Sequence, residues 1–206
     1  GSPFFLWLVM LESYTRPMGS TRITLVNANS LLQNCAAICE YARGGFVFVS
    51  ETHLSYRNRG TILAAIHAHP SIGIETSIPQ RDGRRGVALV YDQSYFTVKM
   101  FENIHPDANH WINIGRLGIF EVLCKDFRLI AVVVYGINEG HPVQGHDGAD
   151  VLLNACVSTF HTIGDQTPIL VAGDFNMEIE SSAWFAARQD TWIDIGDVDA
   201  LHEQLI

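Results

Sequence analysis

Long apolar runs are missing from this 206-residue chain. The longest, Phe4 to Leu11, is eight residues, against the roughly 20 that a membrane-spanning helix requires. No basic stretch precedes it, as one would in a signal peptide, and no membrane partner is expected. Basic residues are also scarce: 13 Lys and Arg face 22 Asp and Glu, for a net charge of −9. The deficit is local, because from Asp150 onward ten acids stand against Arg188 alone, while the first 149 residues balance. A duplex-binding domain as a rule carries a basic surplus. The total therefore argues against tight nucleic-acid binding and leaves only local patches to favour it. The four cysteines form neither a CxxC pair nor a zinc-ligand spacing. Cys35 and Cys39 fall on a helical pattern, Cys124 in a strand and Cys156 in another helix, which reads as reduced core cysteines of an intracellular protein. Repeats, low-complexity tracts and Pro/Ser linkers are absent too. One domain is expected over residues 21–206, behind an N-terminal tail at 1–20 in which Gly1-Ser2 reads as a cloning remnant.

Apolar residues make up 48% of the chain, and they recur as short β-rich runs: Ile23–Val26, Phe46–Val49, Val87–Tyr91, Ile119–Cys124, Leu129–Tyr135 and Ile169–Ala172. Near-continuous runs of this kind suit strands covered on both faces. Helical spacing lies between them, over Ser30–Arg43 with Ser30 placed to cap and Gly44-Gly45 to stop it, and over Asn58–His67 and Ala149–Ile163. Phe120–Tyr135, broken at Lys125-Asp126, reads as a hairpin. The expectation is an α/β domain with a mixed sheet and outer helices, in which functional groups gather where strands end.

Those ends are polar. Asn27-Ala28-Asn29-Ser30 follows the first run, Ser50-Glu51-Thr52-His53 the second, Tyr135 and Asn138 the fifth, and Gly173-Asp174-Phe175-Asn176 the sixth. Two carboxylates among amides and a phenol suit a hard cation, Mg²⁺ or Mn²⁺, rather than zinc. Neutral amides can hold a phosphate or a water without adding negative charge, so the set points to metal-assisted phosphoester hydrolysis. Each residue alone also serves as a turn former or cap: Asn27 and Ser30 could cap a helix, and Asp174 could close an Asx turn.

Taken together and in this order, Asn27-Ala28-Asn29-Ser30, Ser50-Glu51-Thr52-His53-Leu54, Val134-Tyr135-Gly136-Ile137-Asn138 and Gly173-Asp174-Phe175-Asn176 resemble successive motifs of the endonuclease/exonuclease/phosphatase superfamily. Gly86–Tyr91 is similar to an internal strand of that family, and the resemblance covers about residues 21–200. It implies a four-layer α/β sandwich of two mixed β-sheets with outer helices. It also implies a metal held by Glu51 with Asn29 beside it, and a phosphate or water oriented by Asn27, Asn138 and Asn176. Tyr135 would hydrogen-bond a phosphate oxygen, and Asp174 would align or deprotonate the attacking water. The wording of the Glu51 motif and the Arg-Gly lead into Val87 are most similar to endonuclease domains of non-LTR retrotransposons, then to abasic-site endonucleases. DNA is the partner so implied, to a monomeric domain. Phosphatases acting on lipids or small molecules share the core.

The chain departs from the family in one respect. The family's site is completed near its C-terminus by a Ser-Asp-His motif, and none occurs here; His202, in Ala-Leu-His-Glu, has other neighbours. The expectation is either an N-terminal piece of a longer protein, lacking the final strands, or a degenerate copy that keeps the fold as a binding module.

Other features admit two readings each. Arg81, Arg84 and Arg85 ahead of the Val87 strand, with Arg57 and Arg59 after the Glu51 motif, form a phosphate-binding rim or a solvated turn; Arg84 and Arg85 are the candidate substrate contacts. His67 and His69 are expected as solvated side chains at a helix end rather than metal ligands. His141, His146 and Asp147 are expected as ordinary loop groups. Trp184, Phe185 and Trp192 are expected to pack a core rather than stack bases.

Overall fold

The computed structural model describes residues 4–9, 21–102, 104–125, 127–137, 147–163, 167–176, 182–187 and 193–194. Its elements run β1 (Phe4–Val9), β2 (Arg22–Asn27), α1 (Leu31–Ala42), β3 (Gly45–Ser50), α2 (Arg59–His67), β4 (Ile72–Thr76), β5 (Val87–Asp92), β6 (Thr97–Met100), α3 (Pro106–Asn113), β7 (Leu117–Leu123), β8 (Arg128–Tyr135), α4 (Asp147–Ile163), β9 (Ile169–Asp174), α5 (Ala183–Ala186) and β10 (Ile193–Asp194). Two mixed sheets result. One has four strands in the order β2-β3-β5-β4, the other six in the order β10-β1-β9-β8-β7-β6.

The continuous apolar runs have a simple cause. In β3, Phe46 and Phe48 enter the core that includes residues of both sheets, while Val47 and Val49 join a second core with Leu31, Cys35 and Ile38 of α1 and Ile62 and Ile66 of α2. In β5, Val87 and Leu89 face the first core and Ala88 and Val90 the second. Strand side chains alternate between faces, so a strand covered on both sides must be apolar throughout. Leu152, Leu153 and Cys156 of α4 and Ala108 and Ile112 of α3 cover the six-stranded sheet. The order of layers is helix, sheet, sheet, helix, the α/β sandwich that the sequence resemblance implies.

The hairpin β7–β8 closes as expected, with Leu123 opposite Arg128 and the Cys124 N–H donating to Phe127 O at 2.9 Å. Two expectations need correction. Residues 4–9 are not tail: β1 pairs antiparallel with β9 over its length, Phe4 opposite Asp174, and with β10 on its other side. Its partner is far away in sequence, so no local turn announces the strand. Ser30 does not cap α1 with its hydroxyl; instead the Leu31 N–H donates to Thr52 O at 3.0 Å and the Ser30 N–H to Glu51 O at 3.1 Å. A neighbouring loop satisfies the donors that a side chain was expected to take. Asn138, His141, His146, Trp192, His202 and the side chain of Asp147 lie outside the described residues.

Candidate active site

Parallel pairing brings the polar strand ends together. β2 and β3 run parallel with Asn27 opposite Ser50, and β8 and β9 run parallel with Tyr135 opposite Asp174. Each pair delivers its C-terminal residues to one edge, and the two edges meet. The loops leaving them are bent: Asn29, Ser30, Glu51, His53 and Asn176 all have positive φ, from 39° to 106°. Such backbone is costly for residues other than glycine and persists where surrounding contacts hold it. Here the Thr52 N–H donates to Gly86 O at 3.0 Å, and the Gly86 N–H to Gly115 O at 3.1 Å. Gly86 has φ +123°, and a Cβ there would run into Thr52 Oγ1. Only glycine lets the β5 entry approach the Glu51 loop this closely.

Two side-chain chains cross the junction. In the first, the Tyr135 hydroxyl donates to Glu51 Oε1 at 2.7 Å, and the Arg116 guanidinium lies 4.4 Å from the Tyr135 ring centroid. Arg116 also donates through one nitrogen to the carbonyls of Tyr135 and Gly136. In the second, Asn27 Nδ2 donates to Asp174 Oδ2 at 3.1 Å, and Asp174 Oδ1 accepts the Asn176 N–H at 3.1 Å. Asn176 Nδ2 then donates to Gly136 O at 3.0 Å, the carbonyl that Arg116 also contacts. Gly136 thus joins the two chains. The Asp174 Oδ1 contact is the Asx turn of the plainer reading, and Asn27 Oδ1 makes another to the Asn29 N–H at 3.1 Å. Turn formation and convergence coexist.

Burial tunes these groups. Asp174 is 2% exposed, and desolvation raises its carboxyl above the ordinary 3.8; the nearby Glu51 charge pushes the same way, while the Asn176 and Asn27 hydrogen bonds and Arg116 oppose it. The Tyr135 phenol is pushed up to about 12, first by burial and then by its bond to Glu51, and remains a donor at neutral pH. Burial lowers Arg116, with Arg85 repelling it and Tyr135, Glu51 and Asp174 holding its charge. The two carboxylates therefore sense each other and share one buried cation.

Of the residues singled out in the sequence, Asn27, Glu51, Tyr135, Asp174 and Asn176 lie within this network. Asn29 is exposed and tied to it through its backbone N–H. Arg85 is half-buried within electrostatic reach of Arg116, whereas Arg84 is exposed, its N–H donating to Asp82 Oδ1. The two arginine-bearing loops adjoin each other: Ser55 bridges Gln80, and the Gln80 N–H donates to Leu54 O at 2.9 Å. Arg57, Arg59, Arg81 and Arg84 are exposed there. Trp184 and Phe185 pack in the core at 5.1 Å between ring centroids. Sequence reasoning missed Arg116. Its only signal is a lone base just ahead of a strand that is apolar but for Glu121.

The donor set suits a hard cation. The groups here are carboxylate, amide and phenol oxygens, with Glu51 oriented by its bond from Tyr135. Mg²⁺ commonly takes one or two protein carboxylates and leaves its other positions to water and phosphate oxygens. Glu51 would hold such an ion, with Asn29 at the same rim.

No protein-family profile matches the sequence, and no curated protein matches it. Solved structures share the fold. ANGEL2, a 2′,3′-cyclic phosphatase, is similar at 13% identity over 90% of this chain and 57% of its own, with a TM-score of 0.54. A 3′-5′ exonuclease from Neisseria meningitidis is 18% identical over 75% of this chain and 57% of its own, at 0.51. The endonuclease domain of TRAS1, a telomere-specific non-LTR retrotransposon, is 13% identical over 86% and 71%, at 0.53. The chain spans less than two thirds of the first two. Its fold is of the endonuclease/exonuclease/phosphatase type.

Proposed function

We propose that this chain is a phosphodiester-hydrolysing domain acting on nucleic acid, most simply a DNA endonuclease-like domain with Mg²⁺ or Mn²⁺ as cofactor. The observation that carries the reading is the junction at Gly136, where Glu51–Tyr135–Arg116 and Asn27–Asp174–Asn176 meet. Bound at Glu51, the cation would supply charge stabilisation for a phosphoryl oxygen. The remaining chemistry belongs to the chain. Asp174 takes the proton of the attacking water, whose oxygen displaces the leaving oxygen in line at phosphorus. Burial raises the basicity of that carboxylate, which suits a proton acceptor. Asn27 and Asn176 fix its two oxygens and orient water or phosphate without adding charge. The Tyr135 hydroxyl, whose one hydrogen aims Glu51 in the free chain, would turn to a phosphate oxygen once substrate binds, and Arg116 holds the ring in place. Arg84 and Arg85, with Arg57 and Arg59 on the adjoining loop, contact flanking phosphates. The nucleases among the structural neighbours favour a nucleic-acid substrate, and the phosphatase among them favours a small phosphoester as the competing one.

A second reading, a fold retained for binding without turnover, is favoured by the absence of a Ser-Asp-His motif from the sequence. One experiment separates the two: incubation with supercoiled and abasic-site DNA and Mg²⁺. Nicking that disappears in Asp174→Ala supports the hydrolase. Undiminished nicking in that variant refutes the assigned base, and DNA retention without nicking by the folded wild type supports the binding module.

A further inference from the structure

We propose that Cys35, Cys39 and His69 form a binding site for a thiophilic d¹⁰ cation, zinc foremost, on the helical layer of the four-stranded sheet. The three ligand atoms lie within 4.8 Å of one another, and they are the one such trio of His, Cys or acidic groups among the described residues. Such a site goes beyond the expectation of reduced core cysteines (Cys35 and Cys39 are free and buried) and of a solvated histidine at a helix end. Positions 35 and 39 are one helical turn apart on the buried face of α1, which stacks their side chains. The Sγ–Sγ distance is 4.0 Å. Two thiolates at about 2.3 Å from a tetrahedral zinc stand about 3.8 Å apart, so the pair needs almost no movement. His69 comes from the other side, just past α2. Its N–H donates to Ile66 O at 2.9 Å and its carbonyl accepts the Ile72 N–H at 3.3 Å, which fixes its backbone in the turn between α2 and β4. His67, two positions earlier, is exposed.

Two thiolates and an imidazole are a soft set that hard cations do not favour, so this site is chemically separate from the Glu51 region. Three protein ligands leave one position to water. Binding releases one proton from each thiol to solvent as the two sulfur–metal bonds form. Without a cation, burial keeps both thiols protonated, Cys39 being pushed up to about 12; a bound cation supplies the charge that the surrounding apolar core withholds. Its structural effect would be to staple α1 to the α2–β4 corner.

The test is titration of the full chain, free of any polyhistidine tag, with Co²⁺ and then Zn²⁺ in the presence of excess Mg²⁺. Expected are one Co²⁺ per chain with thiolate-to-cobalt charge transfer and tetrahedral d–d bands, displacement by Zn²⁺, and a rise in melting temperature. His69→Gln should weaken binding at least tenfold, and His67→Gln should leave it unchanged. The double variant Cys35→Ser with Cys39→Ser should abolish the charge-transfer band. Should that variant fail to fold, the half-buried His69 still decides. A folded wild type without the charge-transfer band, or equal affinity in His69→Gln, overturns the proposal.

Discussion

The Tyr135 hydroxyl donates to the Glu51 carboxylate at 2.7 Å across 84 positions of sequence, while the Arg116 guanidinium rests 4.4 Å from the same ring. One phenol therefore connects the proposed metal carboxylate to the buried cation. Tyr135→Phe keeps the ring and its contact with Arg116 and deletes only the donor. Stability should fall by about 1 kcal/mol, as for an ordinary hydrogen bond. DNA nicking should fall by roughly ten- to a hundredfold, because Glu51 loses the group that aims it. Urea denaturation and a nicking time course on the same preparation check both numbers.

Arg116 is 9% exposed and serves two carbonyls. Arg116→Met retains much of the volume but leaves the Gly136 and Tyr135 carbonyls without that donor and Glu51 and Asp174 without their shared cation. A loss of about 2–4 kcal/mol is expected. Arg116→Lys should recover the charge and only part of the stability, since an ammonium lacks the planar fork. If both variants unfold at the urea concentration of the wild type, the residue is not holding the junction.

Asp174 titrates in the direction opposite to a salt-bridged acid. Its folded pKa lies above the ordinary 3.8, so below 3.8 it is protonated in both states and contributes no penalty. As pH rises through the window between 3.8 and the higher folded value, the unfolded chain releases the proton first. Stability then falls, and the loss is complete above the folded pKa. Asp174→Asn should flatten this segment of the stability–pH curve, measured by urea unfolding from about pH 4 to about pH 7. Hydrolysis by the wild type should rise over the same window as the base ionises. A wild-type curve whose stability climbs there would assign the carboxylate a lowered pKa.

Gly86→Ala drives its new methyl group into Thr52 Oγ1 and must adopt φ +123°. A destabilisation of about 2 kcal/mol or more is expected, with a loss of nicking because Thr52 adjoins Glu51. Adding Thr52→Ala should relieve the clash but not the backbone strain, giving partial recovery of the melting temperature. Full recovery would show that the side-chain contact alone matters.

Arg84→Ala with Arg85→Ala should weaken binding to DNA of any sequence. It should also reduce the salt dependence of the binding constant by roughly two powers, one for each phosphate left without its guanidinium. Filter binding at several salt concentrations reads the slope, and an unchanged slope removes these arginines from the interface.

Residue pattern alone made the two-sided strands and their polar ends legible, while the pairing of two sheets in four layers came with the family resemblance. Apolar runs such as Phe46–Val49 can sit only in strands covered on both faces, and a strand that stops at Glu51 or Asp174 must present a polar group there. These are local consequences of side-chain alternation and burial, and they need no knowledge of partners. What meets what was decided by the tertiary structure. Phe4–Val9 becomes a strand because β9 and β10 flank it, and Arg116 becomes part of the site because the Tyr135 and Gly136 carbonyls receive it. Cys35 and Cys39 acquire His69 because α1 and α2 pack on one face of the same sheet. Such contacts join positions far apart along the chain, and composition, period and spacing carry no trace of a partner that only packing supplies.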